Sequence, residues 1–193
     1  MIKRNLKQGS DEWLAWRLQG LGASELPIIL GEVPKSYGTY DSLLAEKLGA
    51  PPKKKNDFIM AKGHETEIKI RAKLCMKYDL ELVPTCAEYG KFPFFRTSLD
   101  GYHPKLTIEA KYCGGENLNL VTPHHWIQIQ GQMAVSEQSE IVLAKSNNGI
   151  DVAEIRIQFN SWFWKKALPE VKKFKKKVED GRKALSTRGA KAD

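Results

Sequence analysis

Between residues 82 and 112 the sequence abandons helical spacing. Segments 82–86, 92–99 and 106–112 are short and rich in aromatic and β-branched residues, and turn chemistry such as Tyr89-Gly90 and Asp100-Gly101 separates them. Such runs read as antiparallel strands. Helical patterns lie on either side. Ser10, with Asp11 and Glu12 behind it, caps a helix that ends near Gly20, and Ser24 reads as the cap of a second segment ended by Gly31. Segments 39–49 and 58–78 are helical, the latter from the spacing of Met60, Ile68, Ala72 and Cys75 or Met76. After the strands, 122–135 returns to helix with Pro123 in its first turn. Strands at 140–145 and 152–159 follow, joined by Ser146-Asn147-Asn148-Gly149, and Asn160 or Ser161 opens a helix to 179. There is no internal repeat. The pattern predicts one α/β domain over residues 1–180, a central mixed β-sheet flanked by helices, followed by a basic, frayed tail at 181–193.

Several classes are disfavoured. No apolar run approaches the roughly 18 residues of a membrane span, and the start, MIKRNLKQGSDEW, lacks the apolar core of a signal peptide. A cytoplasmic protein with no membrane partner is expected. Cys75, Cys86 and Cys113 are odd in number and have no C-x-x-C spacing, which argues against a disulfide framework or a zinc cluster. Any metal would be held by carboxylates. The net charge of +8 suggests an anionic partner. It is concentrated at the end: residues 161–193 hold 11 basic against 4 acidic side chains, whereas 61–160 hold 11 against 12.

Asp100 ends one expected strand, and Glu109-Ala110-Lys111 lies in the next. Strand side chains alternate, so Glu109 and Lys111 share a face, and a hairpin through 101–105 brings Asp100 beside them. Two carboxylates and a lysine can bind hard divalent cations and orient water toward a phosphodiester. The same E-x-K spacing at Glu67 and Glu170 falls on helices, where its two charges point apart. Alone, the triplet also fits a solvated strand face.

Further motifs occur in one order along the chain. They are W-x3-R (Trp13 to Arg17), G-A-S (22–24), G-x3-E (Gly63 to Glu67), S-x-D-G (Ser98 to Gly101), E-A-K (109–111) and Q-x-Q (Gln128 to Gln130). Together these resemble the phage-type recombination exonucleases, the lambda-exonuclease and YqaJ-like branch of the PD-(D/E)XK nuclease superfamily, over residues 8–160. The resemblance implies that fold and a processive 5′→3′ exonuclease on linear double-stranded DNA. It would release 5′-phosphate mononucleotides and leave a 3′ single strand for a single-strand annealing protein, working as a homotrimeric ring around the duplex. Asp100 and Glu109 would be the principal metal ligands, with the Ala110 carbonyl and helical Glu67 completing sites for two Mg²⁺ ions, for which Mn²⁺ could substitute. Glu65 competes with Glu67 for that role. Lys111 would orient or deprotonate the attacking water, and Gln128 would contact the scissile region. Arg17 and Ser24, with Ser98, would hold the 5′-phosphate end.

Each of these residues also has a plainer reading: Lys111 as a snorkelling lysine, Arg17 as a helix-surface residue, Ser24 as a simple cap and His125 as a helix-surface histidine. Trp162, Trp164, Phe159, Phe163 and Phe174 read as packing, whereas Tyr37 and Tyr40 could approach a strand end. Lys53-Lys54-Lys55 reads as a solvated loop able to follow DNA backbone. The rival functions are an endonuclease of the same superfamily and a non-catalytic basic DNA-binding or annealing protein.

Overall fold

The computed structural model describes residues 1–52, 56–115 and 117–189, so Lys53-Lys54-Lys55 lies outside the described residues. The strands β1 (Ile2–Arg4), β2 (Leu21–Gly22), β3 (Val83–Glu88), β4 (Phe95–His103), β5 (Leu106–Tyr112), β6 (Glu140–Ser146) and β7 (Ala153–Gln158) form one mixed, mostly antiparallel sheet in the order β1-β3-β4-β5-β6-β7. β5 and β6 run parallel, with the expected helix as their crossover, and β2 adds in parallel to the start of β4.

The helices are α1 (Asp11–Leu18), α2 (Leu26–Ile29), α3 (Tyr40–Lys47), α4 (Asp57–Tyr78), α5 (Pro123–Ser136) and α6 (Ser161–Gly189). Alternation along the central strands divides them between two faces. Ile108 and Ala110 of β5, with Val142 and Ala144 of β6, pack against Ile70 and Leu74 of α4. The odd positions of β6, Ile141 and Leu143, pack against Ile129 and Met133 of α5. Glu109 and Lys111 therefore belong to the α5 side. A third cluster joins α2, α3 and α6 through Leu26, Leu43, Phe95, Trp164 and Phe174.

Three expectations are corrected. Ser24 caps no helix: it lies inside a 3-10 turn, Ala23–Glu25, whose capping position is Gly22. Asp100 does not end β4, which continues to His103, so the hairpin turns at Pro104-Lys105. The last helix does not stop near 179. It is opened by the Asn160 side chain, which accepts the Phe163 N–H at 2.9 Å, and it continues to Gly189. Beyond 180 it still touches the body, for Arg182 Nη2 donates to the carbonyls of Leu18 and Lys47, each at 3.2 Å.

Candidate active site

The site forms where β4 and β5 stop pairing. Their ladder runs from His103 opposite Leu106 to Gly101 opposite Ile108. One residue further, the Asp100 carboxylate accepts the Ala110 N–H at 2.8 Å, so a side chain takes the place of a ladder carbonyl. The separated strand ends leave room for groups from both faces.

Glu109 is 2% exposed and fully engaged. Its Oε1 accepts from Lys111 Nζ and from Gln128 Nε2, both at 2.5 Å, while its Oε2 accepts from Gln132 Nε2 at 2.5 Å. Gln128 and Gln132 are one turn apart on α5, which brings both amides to one carboxylate. Gln132 is the functional candidate that the motifs missed. The available signal was its helical spacing from Gln128, a polar stripe on a helix whose other face is core. Gln130 does something else: its Nε2 donates to the Gln158 carbonyl at 2.9 Å and its Oε1 accepts the Asn160 N–H at 2.7 Å, tying α5 to the β7–α6 corner.

Glu67 and Glu65 have different surroundings. Glu65 is exposed and paired with Lys62 and Lys69 along α4. Glu67 is one-third exposed, and burial pushes its carboxyl above the usual range, with Lys111 opposing and Glu109 reinforcing the shift. Asp100 is raised well above its ordinary value by burial first, then by Glu109 and Glu67. Burial would depress Lys111, but Glu109 and Asp100 outweigh it, and the ammonium is held above its usual range. Three carboxylates thus crowd around one lysine.

That crowding tests whether the residues suit a hard cation. The donors are all oxygen, and their mutual repulsion is the kind that a divalent ion relieves. Among the described residues no three Asp, Glu, His or Cys side chains already close into a ligand set. Glu109 is turned onto its amides and Lys111, and Asp100 onto the Ala110 N–H. The donor set fits a divalent cation, with Asp100, Glu109 and Glu67 as the side chains that would hold it.

Arg17, Ser24 and Ser98 also come together. Arg17 Nη2 donates to Ser24 Oγ at 3.3 Å, and its guanidinium lies 4.8 Å from the centre of the Trp13 ring. The same indole donates from Nε1 to Ser98 Oγ at 2.8 Å. Ser98 and Asp100 are alternate residues of β4, both half-buried between fully buried Thr97, Leu99 and Gly101. An ideal strand would set two such residues on one face about 7 Å apart, and the ladder slips just beyond them, with Thr85 opposite Leu99 and Val83 opposite Tyr102.

The model of the YqaJ-like viral recombinase domain matches residues 12–139. The chain belongs to the YqaJ-like viral recombinase family. Among solved structures, the alkaline exonuclease LHK-Exo from Laribacter hongkongensis superposes with a TM-score of 0.79 at 20% identity, covering 95% of this chain and 100% of that one. LHK-Exo in complex with dAMP gives the same figures. A phage-related exonuclease from Haemophilus somnus 129PT reaches a TM-score of 0.61 at 16% identity, covering 88% of this chain and 96% of that one. At these identities the likeness is one of fold, and it supports the α/β nuclease architecture expected from the motifs. No curated protein matches the chain.

His125 departs from its plainer reading. In this YqaJ-like chain it is half-buried, its Nδ1 is enclosed without a hydrogen-bond partner, and its pKa is pushed down to about 3 by burial, then by Lys111, His124 and Lys145. It stands neutral beside the site. Tyr37 is exposed and its ring lies 5.2 Å from that of His124, whereas Tyr40 packs edge-on against Phe174. Trp164 and Phe174 are core, as expected, but Trp162 is exposed with Lys166 Nζ 3.7 Å from its ring centre. The three cysteines carry no disulfide, and no described helix is long and apolar enough to cross a membrane.

Proposed function

We propose that the chain is a Mg²⁺-dependent 5′→3′ exonuclease that digests one strand of linear double-stranded DNA. The product would be a 3′ overhang, passed to a single-strand annealing protein during recombination in the host cytoplasm. One observation carries the reading: Arg17 reaches Ser24 and stacks on Trp13, whose indole holds Ser98, and Ser98 lies two residues before Asp100 on β4. Two residues of an ideal strand span about 7 Å, a separation on the scale of one nucleotide. A 5′-terminal phosphate held in the pocket sets the next phosphodiester beside Asp100 and Glu109, which is end-directed cleavage releasing a mononucleotide. An endonuclease needs no such pocket, and a non-catalytic DNA-binding protein needs no crowded carboxylates. Family membership and the exonuclease fold support the same reading.

Asp100, Glu109 and Glu67 would hold Mg²⁺, or Mn²⁺ in its place, which would supply positive charge for an in-line displacement. The protein supplies position. Gln128 and Gln132 fix the Glu109 carboxylate without neutralising it, and the Ala110 N–H fixes Asp100. Lys111, whose Nζ lies 2.5 Å from Glu109 Oε1, would orient or deprotonate the attacking water. Arg17 matches a terminal phosphate with its planar fork. A homotrimeric ring enclosing the duplex would make the digestion processive.

Linear duplex labelled at either the 5′ or the 3′ end, with and without Mg²⁺, tests the proposal. Wild type should release the 5′ label first and only with the metal, and Lys111→Ala should slow release by a factor of at least about 100. Efficient cutting of a covalently closed circle would establish the endonuclease instead. Release of the 3′ label alone would reverse the polarity.

A further inference from the structure

Lys47 closes α3 with its side chain almost wholly enclosed, 1% exposed. Its Nζ lies 2.9 Å from each oxygen of Glu25 and donates at 2.9 Å to the Arg17 carbonyl. All three ammonium donors are therefore used. Glu25 is also buried; it accepts the Gly22 N–H at 2.8 Å and stands 3.6 Å from Arg17 Nη2. The same Nη2 reaches Ser24 Oγ. Glu25 thus lies between two cations, one enclosed and near, the other more exposed and farther.

Stability alone gives little reason for this pair. Burying a lysine and a glutamate together costs desolvation that their attraction often fails to repay, and apolar replacements are frequently as stable. The arrangement does have a consequence for Arg17. An arginine beside an unsatisfied carboxylate closes into a two-pronged ion pair, and such a pair competes with any phosphate for the same fork.

We propose that Lys47 is a positioning residue for the end-phosphate pocket: it takes up the charge of Glu25, so that the Arg17 guanidinium remains available to a terminal 5′-phosphate. This rests on the end-phosphate role given to Arg17 above. Arg17, Glu25 and Lys47 together keep one net positive charge at the pocket, carried on its exposed side. Lys47 touches neither substrate nor metal and acts through Glu25 and the Arg17 backbone.

The experiment compares linear duplexes with 5′-phosphate and 5′-hydroxyl ends. Two ratios are read, that of kcat/KM and that of equilibrium affinity in chelator. In wild type the phosphorylated end should be favoured in both, and Arg17→Ala should remove the preference. Lys47→Met should lower it about tenfold, the loss of one charge-assisted hydrogen bond. The double variant Lys47→Met with Glu25→Gln should recover it, since neither charge then contests Arg17, and Lys47→Arg should retain it. A merely structural lysine would not be rescued by removing its partner. Glu25→Gln alone keeps an acceptor for the Gly22 N–H and should hold or raise the preference, which decides the matter even if Lys47→Met melts below the assay temperature. Wild-type ratios in Lys47→Met, or a double variant no better than Lys47→Met, would overturn the proposal while Arg17→Ala still loses the preference. A wild-type ratio in Arg17→Ala would overturn the pocket itself, and this inference with it.

Discussion

Gly131→Ala tests how α5 sets the position of the Glu109 carboxylate. A Cβ on Gly131 would stand 2.9 Å from Phe95 Cζ, 3.2 Å from Leu26 Cδ2 and 3.4 Å from Ala23 Cβ. Carbon atoms in contact rest about 3.5–4.0 Å apart, so one partner must retreat by about half an ångström. Phe95 has nowhere to go, being fully buried with its ring 5.2 Å from that of Trp164. The helix must move instead. Overpacking of this kind costs roughly 1–3 kcal/mol, and replacing a helical glycine returns about 1 kcal/mol. The net loss is about 0–2 kcal/mol, a fall in Tm of at most about 8 °C for a chain this long. The effect on rate should be larger than that on stability. Gln128, three residues before Gly131, shares its side of α5, so the retreat draws the amides away from Glu109. Since a displacement of 1 Å can cost about 100-fold, half of that should slow release of a 5′ label about tenfold in saturating Mg²⁺. Calorimetry and the labelled-duplex assay at 25 °C measure the two effects separately. Gly63→Ala in α4, where a Cβ meets nothing within 4 Å, is the control for helix propensity and should raise Tm. A Gly131→Ala protein that cleaves at the wild-type rate would refute the reasoning.

Asp100→Asn should stabilise the metal-free protein while destroying its activity. Burial, Glu109 and Glu67 raise the Asp100 pKa, so the associated stability is complete below about pH 4 and is lost as pH rises through the raised folded value. The variant should melt above wild type at pH 8 in chelator and level with it at pH 3; equal melting at pH 8 would count against the crowding. His125, depressed to about 3, contributes stability that is full above pH 6.5 and is lost as pH falls toward 3. His125→Asn should flatten the acid limb of a Tm profile. Arg182→Ala removes two hydrogen bonds to the Leu18 and Lys47 carbonyls and should cost about 1 kcal/mol, read as a lower Tm. An unchanged Tm would mean that α6 beyond 180 does not hold the body together.

The sheet was legible because β3 to β7 are long enough for their composition and turns to speak. β1 and β2 hold three and two residues, too few for any periodicity, and only tertiary pairing defines them. Asp100-Gly101 reads as a turn because that dipeptide usually is one. Here the Asp100 side chain continues the ladder in place of a backbone carbonyl, so the strand survives and the opening beside it becomes the site. Helical spacing put His125, Gln128 and Gln132 on one stripe but did not say what covers it. Buried Glu109 covers it, which turns a nominally exposed face into an interior one. The reach of α6 escaped for a similar reason, since its docking beyond 180 depends on contacts of Gly181 and Arg182 with α1 and α3 that no local pattern announces.

The two sites beside β4 handle charge in opposite ways, and Ser98 and Asp100 of that strand link them. At Glu109 the supporting donors are chiefly neutral amides, which orient the carboxylate but leave its charge in place. Asp100 and Glu67 stand beside it, opposed by Lys111 and, at Glu67, also by Arg71, so ionised carboxylates outnumber these two fixed cations and leave negative charge for a metal. At the end pocket the support is ionic: Lys47 takes up Glu25 and leaves Arg17 positive. In the proposed reaction one phosphate of a strand end would meet a fixed protein cation, and the next would meet carboxylates that suit it only with a divalent cation present. Sliding the strand by one nucleotide would then put each phosphate in a place of the right sign only with the terminal one at Arg17. Register at the scissile bond would follow from this alternation of charge, with Ser98 and Asp100 of β4 as its two marks.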